Sequence, residues 1–319
     1  MPSASLTRES PFLLRLGAYL SERFPPLGHG LIVIAYYVSN HSVASVLTDP
    51  SGSVRFGVGA LMGAATIFLF FFHLRVFDEH KDLMDDDTYH AERVLQRGLV
   101  TLRNLRVIGG IGIALEFLFA AVSGPAALVS LAIAFAFSLL MLKEFFVGDW
   151  LKRHFIVYAV SHMLVMPLLA AVVLSFATGR YIWQAPVWFW VFAAFGFLAG
   201  LNFEVSRKMK APEDEIDGVD SYTKILGTFT AAYAVLAMRV VDVGLAALVG
   251  LRLGLSPWFY VVLVLALAVC AASVVSFRVG LSPRTAKRME TYSVLLLLIL
   301  NLSMAAAIAQ EYGIAWGTP

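Results

Sequence analysis

The chain reads as long apolar runs separated by short polar breaks. A helix needs about 20 mostly apolar residues to cross a bilayer. Nine stretches meet that requirement: Leu27–Leu47, Phe56–Val76, Leu105–Val122, Ala126–Met141, Phe155–Phe176, Trp183–Phe203, Ile225–Leu251, Trp258–Phe277 and Thr291–Gln310. None shows the period of two that a membrane β-barrel strand requires. The pattern therefore predicts an all-α integral membrane protein with nine transmembrane helices. A further apolar patch, Phe12–Leu14, is interrupted by Arg15 and followed by no small-residue cleavage site. It reads as a short interfacial helix and not as a signal peptide. The expected organisation is an N-terminal segment over 1–26, a membrane domain over 27–310 and a short external tail over 311–319.

Composition agrees. Of 319 residues, 59% are hydrophobic and 14% charged, against about 25% charged in a soluble domain. Mean hydropathy is +0.78, more apolar surface than a soluble globule can hide. A net charge of +2 dispersed between apolar spans leaves no basic groove for nucleic acid. The single cysteine, Cys270, lies in an apolar run, so no disulfide forms within the chain and a cysteine zinc site is disfavoured. Basic residues fix the expected orientation. Only Arg55, Arg180 and Arg252 fall on one side and Arg239 within a span, which leaves 20 of the 24 on the other. By the positive-inside rule that side is cytoplasmic and holds the N-terminus, while the C-terminus lies outside. The expected location is a cell membrane of the bacterial inner type.

Two polar loops on that side are long, over about 77–104 and 204–224, and the external loops are short. In the first loop Asp78, Asp82 and Asp86 recur every four residues, so on one helix they form a column of carboxylates. Like charges at this spacing repel unless a cation neutralises them. Hard oxygen donors without a sulfur or a histidine pair favour magnesium, which commonly shares its shell with phosphate oxygens. The alternative is a solvated acidic loop. Arg93, Gln96, Arg97, Gly98 and Thr101 follow; guanidinium groups suit phosphate, and Gly98 permits a close turn.

In this segment the chain resembles the UbiA-type intramembrane prenyltransferases, whose first signature is N-D-x-x-D-x-x-x-D followed by R-P-x-P-S-G. In that register Asp78 takes the Asn place, and Glu79, Asp82 and Asp86 take the three Asp places. Arg93 and Gly98 fall on the Arg and the Gly, while Val94, Gln96 and Arg97 depart from the pattern. The second signature, an Asp-rich stretch followed by G-x-x-S/T and a later Gly, is matched by Gly218, Ser221 and Gly227. Its acids match less well. Glu204 takes the first Asp place, but Lys208 stands where the second belongs. Either Asp214 or Asp217 moves in to coordinate, or the site holds fewer metals than its relatives. Glu204 and Lys208 also suit an ordinary i, i+4 ion pair.

The resemblance implies a UbiA-like bundle with a central cavity open to the cytoplasmic side. It implies Mg2+ held by Asp78, Glu79, Asp82, Asp86 and Glu204, with Asp214 and Asp217 as further candidate ligands. Asp78, Asp82, Asp86 and Glu204 are the expected catalytic carboxylates. Arg93, Lys143, Arg207, Lys208 and Arg23 are candidates for holding a diphosphate, although Lys and Arg at span ends also serve as topology anchors. The implied function is transfer of a prenyl group from a prenyl diphosphate to a hydrophobic acceptor. A terpene cyclase of the same superfamily is an alternative, as is a non-catalytic prenyl-lipid binder or transporter.

Within the spans, Arg239 and Asp242 are three residues apart and are expected to pair; Glu116 has no local partner; His162 either contacts an acceptor or, the favoured reading, bonds a neighbouring helix. Phe189, Trp190, Phe192, Phe195 and Phe197 either line a tail tunnel, where cation–π contact is possible, or pack against helices and lipid.

Overall fold

A computed structural model describes residues 6–50 and 52–317, with the side chains of all of these except Asp85 and Asp86. The helices in chain order are α1 Phe12–Arg23, α2 Pro26–Thr48, α3 Val58–Lys81, α4 Leu83–Tyr89, α5 Leu102–Ser123, α6 Pro125–Leu142 and α7 Gly148–Arg153. They continue as α8 Phe155–Met163, α9 Val165–Thr178, α10 Val187–Arg207, α11 Tyr222–Leu226, α12 Thr228–Leu253, α13 Pro257–Gly280 and α14 Pro283–Tyr312. Nine helical stretches among the described residues are long and apolar enough to cross a membrane, with α8 and α9 together forming the fifth. The expected number of spans is therefore observed.

Burial sorts the spans. α9 is buried almost all round from Leu169 to Ala177, which makes it a central helix. Ser130 and Ser175 meet at 2.6 Å and let α6 and α9 approach closely. α5 and α13 instead expose Val107, Ile111, Val122, Val261, Val264 and Leu265, the surface a lipid-facing helix presents. The expected fifth span is divided at Leu164. Pro167 has no N–H to give to Met163 and its ring would crowd that carbonyl. α14 starts well before the expected Thr291, because Ser282 caps it reciprocally with Thr285 and Pro283 occupies its first turn.

Two short strands were not expected. β1, Val54–Phe56, pairs in parallel with β2, Ile314–Trp316. The residues that lead into the expected second span, ending on its first residue Phe56, and the expected external tail thus form a clasp on the face opposite the acidic loops. A Cβ at Gly57 would lie 2.5 Å from the Gly317 carbonyl oxygen, so the clasp closes over a glycine.

α1 covers the predicted interfacial patch and extends beyond it. Leu13 and Leu14 are exposed, while Tyr19 is buried with Phe72, Val76, Val94, Leu99 and Leu105. The helix therefore packs onto the first polar loop. Arg15 donates to the Leu99 carbonyl at 2.8 Å, and the Val94 N–H donates to Glu22 at 3.1 Å.

Candidate functional site at the acidic-loop face

The carboxylate column expected on one helix is broken. α3 ends at Lys81, Asp82 caps it by donating its N–H to the Asp78 carbonyl at 2.9 Å, and α4 starts afresh at Leu83. Repulsion between stacked acids disfavours a continuous helix here. Asp78 is partly exposed, and its Oδ1 receives the Lys81 ammonium at 3.1 Å. The Asp86 side chain lies outside the described residues.

Glu79 has different surroundings from those expected of a ligand. It is 1% exposed, and its Oε1 accepts from Arg23 Nε at 2.8 Å, Arg75 at 2.9–3.0 Å and the Tyr19 hydroxyl at 3.2 Å. Burial, and then the Glu79 carboxylate, push the Tyr19 phenol up. Arg23, expected to hold a diphosphate, thus docks α1 on α3. Arg93 lies in the segment beneath α1, where its N–H meets the His90 carbonyl at 3.1 Å. Gly98 makes the close turn read from the sequence, with φ +69°, and a Cβ there would strike the Arg8 guanidinium.

At the second loop Glu204 lies near the end of α10, with its side chain 14% exposed. Its Oε1 receives Lys208 Nζ at 2.8 Å, and its Oε2 receives Arg207 Nε at 3.2 Å as well as the Arg207 Nη2. The Lys208 ammonium lies 4.8 Å above the Phe155 ring. Asp214 and Asp217 are exposed. The acid that organises this loop is Glu215, which accepts from Ser221 Oγ at 2.6 Å and Thr223 Oγ1 at 2.8 Å. Ser221 also caps α11 by accepting from the Lys224 N–H. Among the described residues, no three histidine, cysteine or carboxylate side chains form a group that could hold a metal.

The two loops nevertheless meet. Both pack on α8, where Lys208 of the second loop lies over Phe155 and Lys81 of the first reaches Tyr158. Burial, and then Glu204, raise the Tyr222 phenol. A Cβ at Gly218 would lie 2.6 Å from the Tyr89 hydroxyl oxygen, so the tips of the loops touch. Lys81 and Tyr158, which the sequence reading passed over, stand at this meeting point: the Lys81 ammonium donates to the Tyr158 hydroxyl at 3.5 Å. The signal was present, since Lys81 lies between Asp78 and Asp82 on the same turn.

Beside Lys81 a cavity of about 550 Å³ opens between α3, α5 and α6, lined among others by His80, Lys81, Arg106 and Lys143. Its walls come from three consecutive spans and not from the whole ring, so it is lateral to the bundle. Lys143 caps α6 here, and the chain then turns through Glu144–Phe146 with positive φ at all three residues.

The expected intramembrane pairings are corrected. Arg239 donates to the Cys270 carbonyl, Ser273, the Met289 carbonyl and Ser293 at 2.8–3.0 Å, and forms no ion pair with Asp242 among the described contacts. Asp242 lies instead against Asn202. One arginine can join α12 to both α13 and α14, which a local i, i+3 pair cannot do. Glu116, without a partner on its own helix, meets His73 Nδ1 of α3 at 2.8 Å, and both are fully buried. His162 Nδ1 bonds the Tyr158 carbonyl of its own helix at 2.8 Å, and the two rings stack. Phe189, Phe192 and Phe195 are core residues, while Trp190 and Phe197 are partly buried.

No protein-family model matches the sequence, and no curated protein does. Solved structures do match. A digeranylgeranylglyceryl phosphate synthase structure aligns with a TM-score of 0.62 at 15% identity, over 93% of this chain and 99% of that one. The apo structure of a UbiA homologue from Aeropyrum pernix K1 aligns at 0.60 with 20% identity, over 88% of this chain and 98% of the other. The chain has the fold of the UbiA-type membrane prenyltransferases, along nearly its whole length.

Proposed function

We propose that this protein is an intramembrane prenyltransferase that ionises a prenyl diphosphate at the acidic-loop face and passes the prenyl group to a hydrophobic acceptor. The observation that carries the reading is the convergence of two polar loops, from the ends of α3 and α10, which touch at Gly218 and Tyr89 and both pack on α8, within a UbiA-type fold. Fold alone would not select a reaction.

Magnesium is the ion such a fold implies, and the donor set fits it unevenly. At the first loop the partly exposed Asp78, with one oxygen on Lys81, and Asp82 offer hard oxygen donors; Asp86 completes the motif in sequence. These residues would hold one ion, which when bound withdraws charge from the diphosphate. Glu79 is enclosed by Arg23 and Arg75, and Glu204 by Arg207 and Lys208, so neither fits a metal. The chain's own cations do the remaining work. Lys81 and Lys143, both lining the lateral cavity, and Arg207 and Lys208 at the second loop place fixed positive charge where the departing diphosphate gains negative charge. Arg93 joins this set by its place in the motif. Apolar faces of Phe77 and Ile113 in the lateral cavity suit the first units of the prenyl chain.

A second reading, a binder without turnover, is favoured by one observation: Lys208 neutralises Glu204 in the free protein. The test is incubation of the purified protein in lipid with prenyl diphosphates and magnesium, with and without a membrane-lipid extract, followed by mass spectrometry. A prenylated product that requires extract and is absent in Asp82→Ala is the expected result. A product formed without extract assigns a cyclase, and tight binding without any product assigns a binder.

A further inference from the structure

We infer that the second loop carries its own tethered cations in place of a divalent ion, so that Lys208 and Arg207, braced by Glu204, form a metal-free receptor for a phosphoryl group. This deepens the prenyl-transfer reading and rests on it. A site built for a divalent ion gathers carboxylates and is net negative until the ion arrives. Here one carboxylate meets two cations, and the group is net positive before anything binds. A further divalent charge would be repelled, whereas an oxyanion would be attracted.

The geometry is that of a receptor with donors to spare. Glu204 uses both oxygens: Oε1 holds Lys208 at 2.8 Å and Oε2 holds Arg207. An ammonium has three donors and a guanidinium five, so each cation retains N–H groups for a ligand after bonding Glu204. Lys208 is also fixed in place. The Lys208 ammonium rests 4.8 Å over Phe155, and the Lys208 carbonyl accepts from the Tyr222 N–H at 3.3 Å. Phe155 in turn contacts the Tyr222 ring at 4.7 Å. The C-terminal end of α10 carries a negative helix dipole, which favours cations at this position.

The receptor faces the right partner. Lys208 lies over Phe155 and Lys81 reaches the Tyr158 hydroxyl, both on α8, and Lys81 repeats the device on the first loop, one ammonium 3.1 Å from a motif carboxylate. A diphosphate bridging the loops would meet Lys81 at one end and Lys208 with Arg207 at the other. The ligand class is a phosphoryl oxyanion, whether from a prenyl diphosphate or from a lipid headgroup.

The test uses the full chain in phosphatidylcholine nanodiscs, with inorganic pyrophosphate as probe and manganese in place of magnesium, since bound manganese is counted by EPR. The wild type is expected to retain about one manganese per bound pyrophosphate, lost in Asp82→Asn. Lys208→Met is expected to weaken pyrophosphate about 10- to 100-fold, the loss of a charge-assisted hydrogen bond, with manganese retention unchanged. Two manganese ions per bound pyrophosphate in the wild type overturn the inference while leaving the prenyl-transfer reading in place; this arm does not depend on any variant folding. Unchanged pyrophosphate affinity in a folded Lys208→Met also overturns it. Displacement of pyrophosphate by nanodiscs containing phosphatidic acid would assign the receptor to headgroups and overturn its role in substrate binding. No pyrophosphate binding under any condition would remove both this inference and the reading beneath it.

Discussion

On a single oxygen, Glu79 accepts from two guanidinium groups and a phenol, with 1% of its side chain exposed. Removing one member of such a buried group leaves the others uncompensated, at a cost of about 3–5 kcal/mol. Glu79→Gln is therefore expected to lower Tm and to open α1 to proteolysis while manganese retention is unchanged; a normal Tm with lost metal would return Glu79 to the ligand set. His73 and Glu116 form a second buried pair. The Ser138 hydroxyl donates to the Phe135 carbonyl at 2.7 Å and so accepts from His73 Nε2 at 3.3 Å. His73 Nδ1 then shares a proton with Glu116. Glu116→Gln keeps a hydrogen bond and is expected to cost under about 1 kcal/mol, whereas Glu116→Ala leaves Nδ1 unpartnered beside a void and costs about 2–4 kcal/mol. Equilibrium unfolding in detergent distinguishes them. Glu79 shows the limit of reading a motif: its register placed it among ligands, but its partners Tyr19 and Arg23 lie some 60 residues away in sequence, and only folding brings them to it.

Between elements, the hydrogen bonds of Arg239 are the clearest tie. Its guanidinium reaches two carbonyls and two serine hydroxyls on α13 and α14. Hydrogen bonds between membrane helices contribute about 0.6–1.7 kcal/mol each, so Arg239→Ala is expected to cost about 2–4 kcal/mol. Asp242→Asn, which breaks no ion pair, is expected to change stability by under about 1 kcal/mol; the reverse ranking in a denaturant titration would restore the local pair as the structural unit. The spans themselves were legible because twenty apolar residues have no other place to go than a bilayer or a bundle core. The breaks were less so. Pro167 marked the division between α8 and α9 but was hidden within an otherwise unbroken apolar run, and the β1–β2 clasp joins segments too short for any period to register. The direction in which Arg239 turns was not legible, because a sequence gives spacing along one helix and not the carbonyls of its neighbours.

At the scale of the whole molecule, the two acidic loops occupy one face and the clasp the other, so the chain is polar across the membrane. Cys270 is the sole native cysteine and is buried. In a Cys270→Ser background, cysteines placed at Asp217 and Trp316 are expected to react with an impermeant maleimide from opposite sides of a sealed vesicle; labelling of both from one side would break the topology. The site was half legible. Asp78, Asp82, Glu204 and Lys208 stand where the loops meet, but Glu79 and Arg23 belong to the docking of α1, and Lys81 and Tyr158 had to be found in the fold. The central claim is that the junction of the two loops ionises a prenyl diphosphate. The measurement that bears on it most directly is pyrophosphate release by the purified protein in lipid, supplied with prenyl diphosphates of about 10 to 20 carbons and magnesium, and compared with Asp82→Ala and Lys208→Met. Release by the wild type that collapses in both variants is the predicted result. No release by the wild type at any chain length, or release indifferent to both substitutions, would contradict the account.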